Sequence, residues 1–452
     1  MMTADQASIE YEFPVSPAQA RLLVLDRMHP GSTQYHVPAA FAVEGSLDIA
    51  AFTAALGGLV NRHESLRTVF RPVGGGYMQV VAAKAKPAVR TEQAVAPAKA
   101  HAAMLAEAAR PFDIECGPLL RCSIFPVTDG TRRILLTAHH LVCDGWSLQI
   151  MLRELGESYR AVRQGTHAGH DPLQVQYSDY AAWQREQLAM GAYTDAVARW
   201  AELLHGAPGV IPLPTRQPRP AVQTTSAGSV GFTLPAATRR RLACMAEQRR
   251  TTPFAVLFAA FNAFLSRITG ADDLIVGIPV SGRDLPELQG MVGMLANTLA
   301  LRTDLSGDPT FGQLVARVRE RLNGTRPHAD APFDAVIDAV APARALSHDP
   351  VVQVAFGYDD ETELALDLHG AEVSRVGLAL PAAKFDLLMY VERAGEDLAA
   401  QLIYRSDLFD EATVRHWVRS FSVLLDSLLD RPDRPAAAAN MLSPAVRSPG
   451  PA

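Results

Sequence analysis

Residues 132–162 read RRILLTAHHLVCDGWSLQIMLRELGESYRAV. An apolar run ends in two adjacent histidines, a tight turn is predicted at Asp144-Gly145, and the rest sets Leu148, Leu152, Leu155 and Tyr159 on one side of a helix. A strand that runs straight into an amphipathic helix belongs to a mixed α/β unit.

Working outward, the same alternation continues in both directions. Upstream, the pattern predicts a helix at 18–25, an extended VPAAFAVEG at 37–45, a helix at 47–62 and a strand near 66–70. Gly74-Gly75-Gly76 lacks the following Lys-Ser/Thr and helix of a phosphate loop, so it is read as a hairpin turn before YMQVV. Downstream, 177–204 reads as helical, and 205–230 carries prolines at 208, 212, 214, 218 and 220, the strongest linker composition in the chain. A second set of elements follows: extended GSVGFTLP, an Arg-rich helix at 238–249, and PFAVLFAAFNAFLSRI, with Thr252 as its N-cap, Pro253 at its first position and Gly270 past its end. Strands at LIVGIPVSGR and LANTLALR and helices at 311–322 and 414–429 complete it. No repeat of 20 to 50 residues runs through the chain, which sets solenoids and propellers aside. The expectation is two lobes, 1–185 and 186–430, and a flexible Pro/Ala-rich tail at 431–452.

Composition narrows the function classes. The 452 residues are 48% hydrophobic and 20% charged with a net charge of −6, which describes a globular chain without the basic footprint of a nucleic-acid binder. Cysteines 116, 122, 143 and 244 form no CxxC pair, so neither a structural zinc nor a disulfide framework is indicated and a reducing cytoplasm is expected. The N-terminus has no basic stretch leading into an apolar one, and the longest apolar run, 254–265, is broken by Asn262 and falls short of the roughly 20 residues of a membrane span. No membrane partner is expected.

The chemistry concentrates at His139-His140-Leu141-Val142-Cys143-Asp144-Gly145. Side chains alternate along a strand, so the two histidines face opposite ways, one for chemistry and one for structure. A neutral imidazole can take a proton from an attacking amine or hydroxyl. Asp144, if buried, needs a partner such as an arginine. Gly145 is read as permitting a turn that other residues resist. Adjacent strand histidines diverge and no further ligand stands at metal spacing, so no metal is assigned. Ser147 suggests a Ser-His-Asp set only weakly, because there is no GxSxG elbow. The opposing reading of the histidine pair is two packed, hydrogen-bonded core residues.

The segment HHLVCDG resembles the HHxxxDG signature of nonribosomal-peptide condensation domains, which belong with chloramphenicol acetyltransferase. Other stretches resemble further motifs of that family in order: SPAQARL at 16–22, RHESLRTVF at 62–70, YSDYAAW at 177–183, VGMLANTL at 292–299, HADAPFD at 328–334 and DPVVQVAF at 349–356. The resemblance spans about 14–430. It implies two chloramphenicol-acetyltransferase-like lobes in a V, with a tunnel at their junction. An acyl or peptidyl carrier protein would bring the donor on its phosphopantetheine arm, no cofactor being bound by the chain itself. The acceptor would be a small-molecule or carrier-bound amine or alcohol. His140 would act on the acceptor as base or positioning group, with the Gly145 N–H as an oxyanion donor. His139 and Asp144 would be structural, Asp144 pairing with Arg283, or else with Arg62 or Arg67. Tyr177, Trp183 and Asn297 would line the tunnel or pack the lobes. Ser147 would contact the donor arm or cap the helix.

Leu295 and Ala296 stand where the family often has bulky aromatics, and 349–356 departs from the usual HPLFQVMF, which suggests a differently shaped tunnel. Heterocyclisation domains would carry aspartates in place of His139 and His140. Epimerisation domains would depart near 62 and 177. Arg239, Arg240, Arg241 and Arg249 offer one carrier-docking patch, against the plainer reading of a solvated helix face. The methionine start and degenerate tail favour a freestanding enzyme over an excised domain. The alternatives are a noncatalytic carrier-binding module and a coenzyme A-dependent acyltransferase.

Overall fold

The computed structural model describes residues 9–342, 345–359, 364–378 and 382–442. The chain begins with β1 (Ile9–Pro14), α1 (Pro17–Met28), β2 (His36–Gly45), α2 (Ile49–Arg62), β3 (Thr68–Val73) and β4 (Gly76–Ala82). There follow β5 (Ala88–Thr91), α3 (Pro97–Ala108), β6 (Leu120–Pro126), β7 (Arg132–His139), α4 (Gly145–Arg163) and α5 (Tyr177–Ala189). Next come α6 (Thr194–Leu204), β8 (Ala227–Leu234), α7 (Ala236–Gln248), α8 (Pro253–Thr269), β9 (Asp273–Val280) and β10 (Asn297–Asp304). The last are α9 (Phe311–Thr325), α10 (Phe333–Val340), β11 (Val354–Asp359), β12 (Ala371–Val376), β13 (Leu387–Ala394), β14 (Asp397–Arg405) and α11 (Glu411–Asp430).

Two compact units result. The first takes Met1–Ala192, Ser281–Ala296 and Leu364–Leu380; the second takes Tyr193–Val280, Asn297–Glu363 and Pro381–Ala452. A contiguous division at 185/186 therefore needs correction, because two later segments return to the first unit. One carries Arg283, the ion-pair partner of Asp144, and the other adds an edge strand beside β2. Both depend on contacts between residues far apart in sequence.

In the first unit a five-stranded sheet runs β12-β2-β7-β6-β5, and β1-β4-β3 form a separate three-stranded sheet. On one face of the larger sheet, Phe41, Ile134, Leu136 and Ala138 pack against Phe52 and Leu56 of α2 and Met151 and Leu155 of α4. On the other, Ala40 and Leu135 pack against Met104 and Ala108 of α3. Cover on both faces explains why β7 reads as a continuous apolar run rather than an alternating one. The second unit is built on the sheet β10-β9-β11-β13-β14-β8. Its core surrounds α8, whose Thr252 cap and Gly270 left-handed terminus match the sequence reading.

Three local expectations change. The helical stretch 177–204 breaks into α5 and α6 around 190–193. A single 3-10 turn at Glu64–Arg67 precedes β3, so the strand begins only at Thr68. Of the expected flexible tail, 431–442 pack on the second unit, with Ala436 buried and Phe311 N–H donating to Arg434 O; 443–452 lie outside the described residues. No single described helix is long and apolar enough to cross a membrane.

Candidate active site

The strand sorts the two histidines. Consecutive N–H groups at the end of β7 and just past it point to opposite neighbours: His139 N–H donates to Leu119 O at 2.8 Å and His140 N–H to Tyr35 O at 2.7 Å. Alternation along β7 sets His139 on the Leu135 face under α3, whereas His140, one residue past the strand, has its ring beside Tyr35.

His139 is 2% exposed. Its Nδ1 accepts the Leu141 N–H at 3.1 Å, which fixes that nitrogen as an acceptor. Its ring meets Phe112 and His36 edge-on, at 5.8 and 6.2 Å between centroids. His36 stands opposite His139 in the β2–β7 register, with Nδ1 2.8 Å from Ala108 O. Burial pulls the His36 pKa below the ordinary imidazole value; the bond to Ala108 opposes this and the Arg121 charge adds to it. The Arg121 guanidinium lies 3.8 Å from the centre of the Phe112 ring and donates to Arg110 O and Pro111 O. Burial, reinforced by Arg110 and opposed by Glu107, brings its pKa down to about 10. His139 is thus packed and hydrogen-bonded, while His140 is half-buried with its ring 6.4 Å from that of Tyr35 at 70°.

The turn after the histidines leads directly into α4. Asp144 is the N-cap and Gly145 the first helical residue. The expectation of a special backbone turn at Gly145 needs correction: its φ is not left-handed, and a Cβ built there would meet open space. An N–H at this position has no acceptor within its own helix.

Asp144 and Arg283 are each about 1% exposed in their side chains. Arg283 Nη1 donates to Asp144 Oδ2 at 2.8 Å, and Nη2 donates to Oδ1 at 3.0 Å and to Met291 O at 3.1 Å. Asp144 also accepts from Ser147 N–H at 2.8 Å and from the N–H groups of Leu295 and Ala296, both at 3.0 Å. Ser147 Oγ lies 2.7 Å from Asp144 Oδ1 and 2.9 Å from Gly293 O, its single proton serving one of them, and it accepts from Arg283 Nη2 and Gly293 N–H. A fully buried Ser147 so bonded cannot touch a substrate arm, and the helix cap is Asp144.

The remaining sequence candidates fall as follows. Arg62 donates to Glu154 Oε2 at 3.1 Å, the oxygen that also lies 2.9 Å from His63 Nε2, and Arg67 pairs with Glu64 and the Ala82 carbonyl. Neither arginine is a partner of Asp144. Burial raises the Glu154 pKa, but the bond and charge of His63, with Arg62 and His170, leave it below the usual carboxylate value. Tyr177 is buried, its hydroxyl donating to Met294 O at 2.9 Å beside Ser16 Oγ, so it packs the first unit rather than lining an open site. Trp183 is exposed beside Tyr180. Asn297, in the second unit, donates to Ala329 O and Ala331 O and accepts from Phe333 N–H, fixing the start of α10. Of the four arginines expected to offer a docking patch, Arg241 on α7 pairs with Asp426 and Asp430, and Arg249, just past its end, pairs with Asp433. Among the described residues no three His, Cys, Asp or Glu side chains gather as a metal site.

Sequence reasoning missed Tyr35, His36, Phe112 and Arg121, which surround the histidine pair. The residues YH before VPAAFAV carry the relevant signal, but only once the β2–β7 register is known.

A condensation-domain family model matches residues 9–448. Over 440 residues the chain is 37% identical to one of the proteins that make up the linear gramicidin synthase of Brevibacillus parabrevis, covering 96% of this chain and 6% of that protein. The chain thus spans a small part of that curated relative's length. The X-domain solved in complex with OxyB from teicoplanin biosynthesis matches with a TM-score of 0.85 at 28% identity, over 98% of both chains. The condensation domain of the Monacolin K polyketide synthase MokA matches with a TM-score of 0.86 at 21% identity, over 95% of this chain and 100% of that one. With its whole described length matched and the HHxxxDG turn built as above, the chain belongs to the condensation-domain family.

Proposed function

We propose that this chain transfers an acyl or aminoacyl group from a carrier-protein phosphopantetheine thioester to an amine or hydroxyl acceptor. The observation that carries the reading is the sorting of groups around α4. His140 follows directly on β7 with its half-buried ring beside Tyr35, Gly145 offers an N–H at the start of α4, and Asp144 is withdrawn from chemistry by Arg283. In the reaction the acceptor nitrogen or oxygen bonds to the thioester carbonyl carbon while His140 takes its proton. The charge that develops on the carbonyl oxygen is met by the Gly145 N–H at the positive end of the helix dipole. The C–S bond then breaks and the thiolate leaves, receiving the proton from the imidazolium. His139, Asp144 and Arg283 hold the turn that carries these groups.

The test is mass spectrometry of acyl transfer from carrier-, pantetheine- and coenzyme A-linked thioesters to mixed amines and alcohols, each with a no-enzyme control. A new amide or ester made only with enzyme is the expected result. Turnover with coenzyme A thioesters alone would replace the carrier protein as donor.

A second reading has its own support: the X-domain that matches at 28% identity was solved bound to another protein, OxyB. On that reading the chain is a recruitment module. Carrier binding without product from any donor and acceptor would favour it.

A further inference from the structure

Tyr35 lies one residue beyond the paired part of β2, as His140 lies one residue beyond β7. The register places His36 opposite His139, and the bond from His140 N–H to Tyr35 O extends that ladder by one step. Residues directly opposite in an antiparallel pair present their side chains on the same face, close enough to interact. Tyr35 therefore shares the face of His140, and the two rings meet edge-on at 6.4 Å and 70°. Tyr35 is itself held: it packs against a cluster of Leu22, Leu23, Phe70, Leu141 and Val142, the last two following His140 in the turn. His139 is held by His36 and Phe112, and Phe112 packs against the same cluster as Tyr35.

We propose that Tyr35 is a positioning residue for His140, its ring holding the imidazole in the orientation that receives the acceptor's proton. The proposal rests on the acyl-transfer reading above. A reacting group misplaced by an ångström loses rate steeply. An anchored ring on the facing strand limits such displacement of the imidazole without touching the reacting atoms. The aromatic ring rather than the phenol hydroxyl carries the effect, so phenylalanine substitutes for tyrosine.

The experiment is a double-mutant cycle on acyl transfer with wild type, Tyr35→Ala, His140→Ala and the double variant, together with Tyr35→Phe, and with Tyr35→Leu as a bulky non-aromatic variant should Tyr35→Ala unfold. Tyr35→Ala or Tyr35→Leu is expected to lower kcat by about tenfold or more with KM unchanged within about twofold. Tyr35→Phe is expected to keep at least about half of kcat, and the loss should vanish in the His140→Ala background. A loss that persists undiminished without His140, or Tyr35→Phe as slow as Tyr35→Ala, overturns the proposal, as does a Tyr35→Ala enzyme as fast as wild type. The side-chain NMR resonance of His140, assigned by its absence in His140→Ala, gives a readout that needs no turnover. It should move in Tyr35→Leu and return near its wild-type position in Tyr35→Phe; an unmoved resonance overturns the proposal. If wild type transfers nothing, the acyl-transfer reading fails while this resonance still decides the role of Tyr35.

Discussion

Asp144 accepts hydrogen bonds from a bidentate Arg283, from the N–H of its own helix and from the 295–296 backbone, so both carboxylate oxygens are filled inside the first unit. The need for an arginine partner was legible in the sequence, because a buried carboxylate requires one. Arg283 was singled out as that partner only through the family resemblance, since local sequence does not set it apart from Arg62 and Arg67, and the structure bears the choice out. Arg283→Met keeps much of the bulk and removes the charge, leaving a buried carboxylate with part of its shell. The expected cost is about 3–5 kcal/mol, because breaking one side of a buried pair strands the other charge. Urea denaturation followed by a probe in the first unit measures it, and a loss below about 1 kcal/mol would show that Asp144 is not clamped as described. The roles of Ser147 and Tyr177 were not legible for a related reason: a hydroxyl beside a catalytic motif looks alike in sequence whether it faces substrate or a buried backbone carbonyl.

At the scale of elements, β7 and α4 were the clearest reading, because an apolar run and a periodic stripe of Leu148, Leu152, Leu155 and Tyr159 fix their kinds directly. All four of those side chains are buried. Elements with weak contrast were missed. The Ala-rich α3 offers little distinction between its faces, and the edge strand β12, AEVSRV, is mostly half-exposed. Gly156, inside α4, shows how a later segment constrains an earlier helix: a Cβ there would lie 2.8 Å from the Asp367 carbonyl oxygen. Gly156→Ala gains roughly 0.5–1 kcal/mol of helix propensity. It also forces the backbone leading into β12 aside, and overpacking of this kind costs about 1–3 kcal/mol. The clash outweighs the gain in propensity, so the substitution is expected to lower the urea midpoint. A raised midpoint would mean that the 364–370 segment yields freely.

For the whole molecule, the sequence showed two successive αβ units and the place of the reactive turn in the first. It did not show that Ser281–Ala296 and Leu364–Leu380 belong with that first unit, since their allegiance is set by the Asp144–Arg283 pair and by the pairing of β12 with β2. Contacts between residues more than 100 positions apart leave little trace in local composition or periodicity. The account of function depends on one proposal, that His140 and not the packed His139 takes the acceptor's proton beside the helix that starts at Gly145. The most direct test is the single-turnover rate of acyl transfer, with donor thioester and acceptor saturating, for wild type against a His140→Ala variant shown to be folded. Loss of a working general base predicts a rate about 10²–10⁴-fold lower for the variant. Equal rates would contradict the central claim and remove His140 from the chemistry.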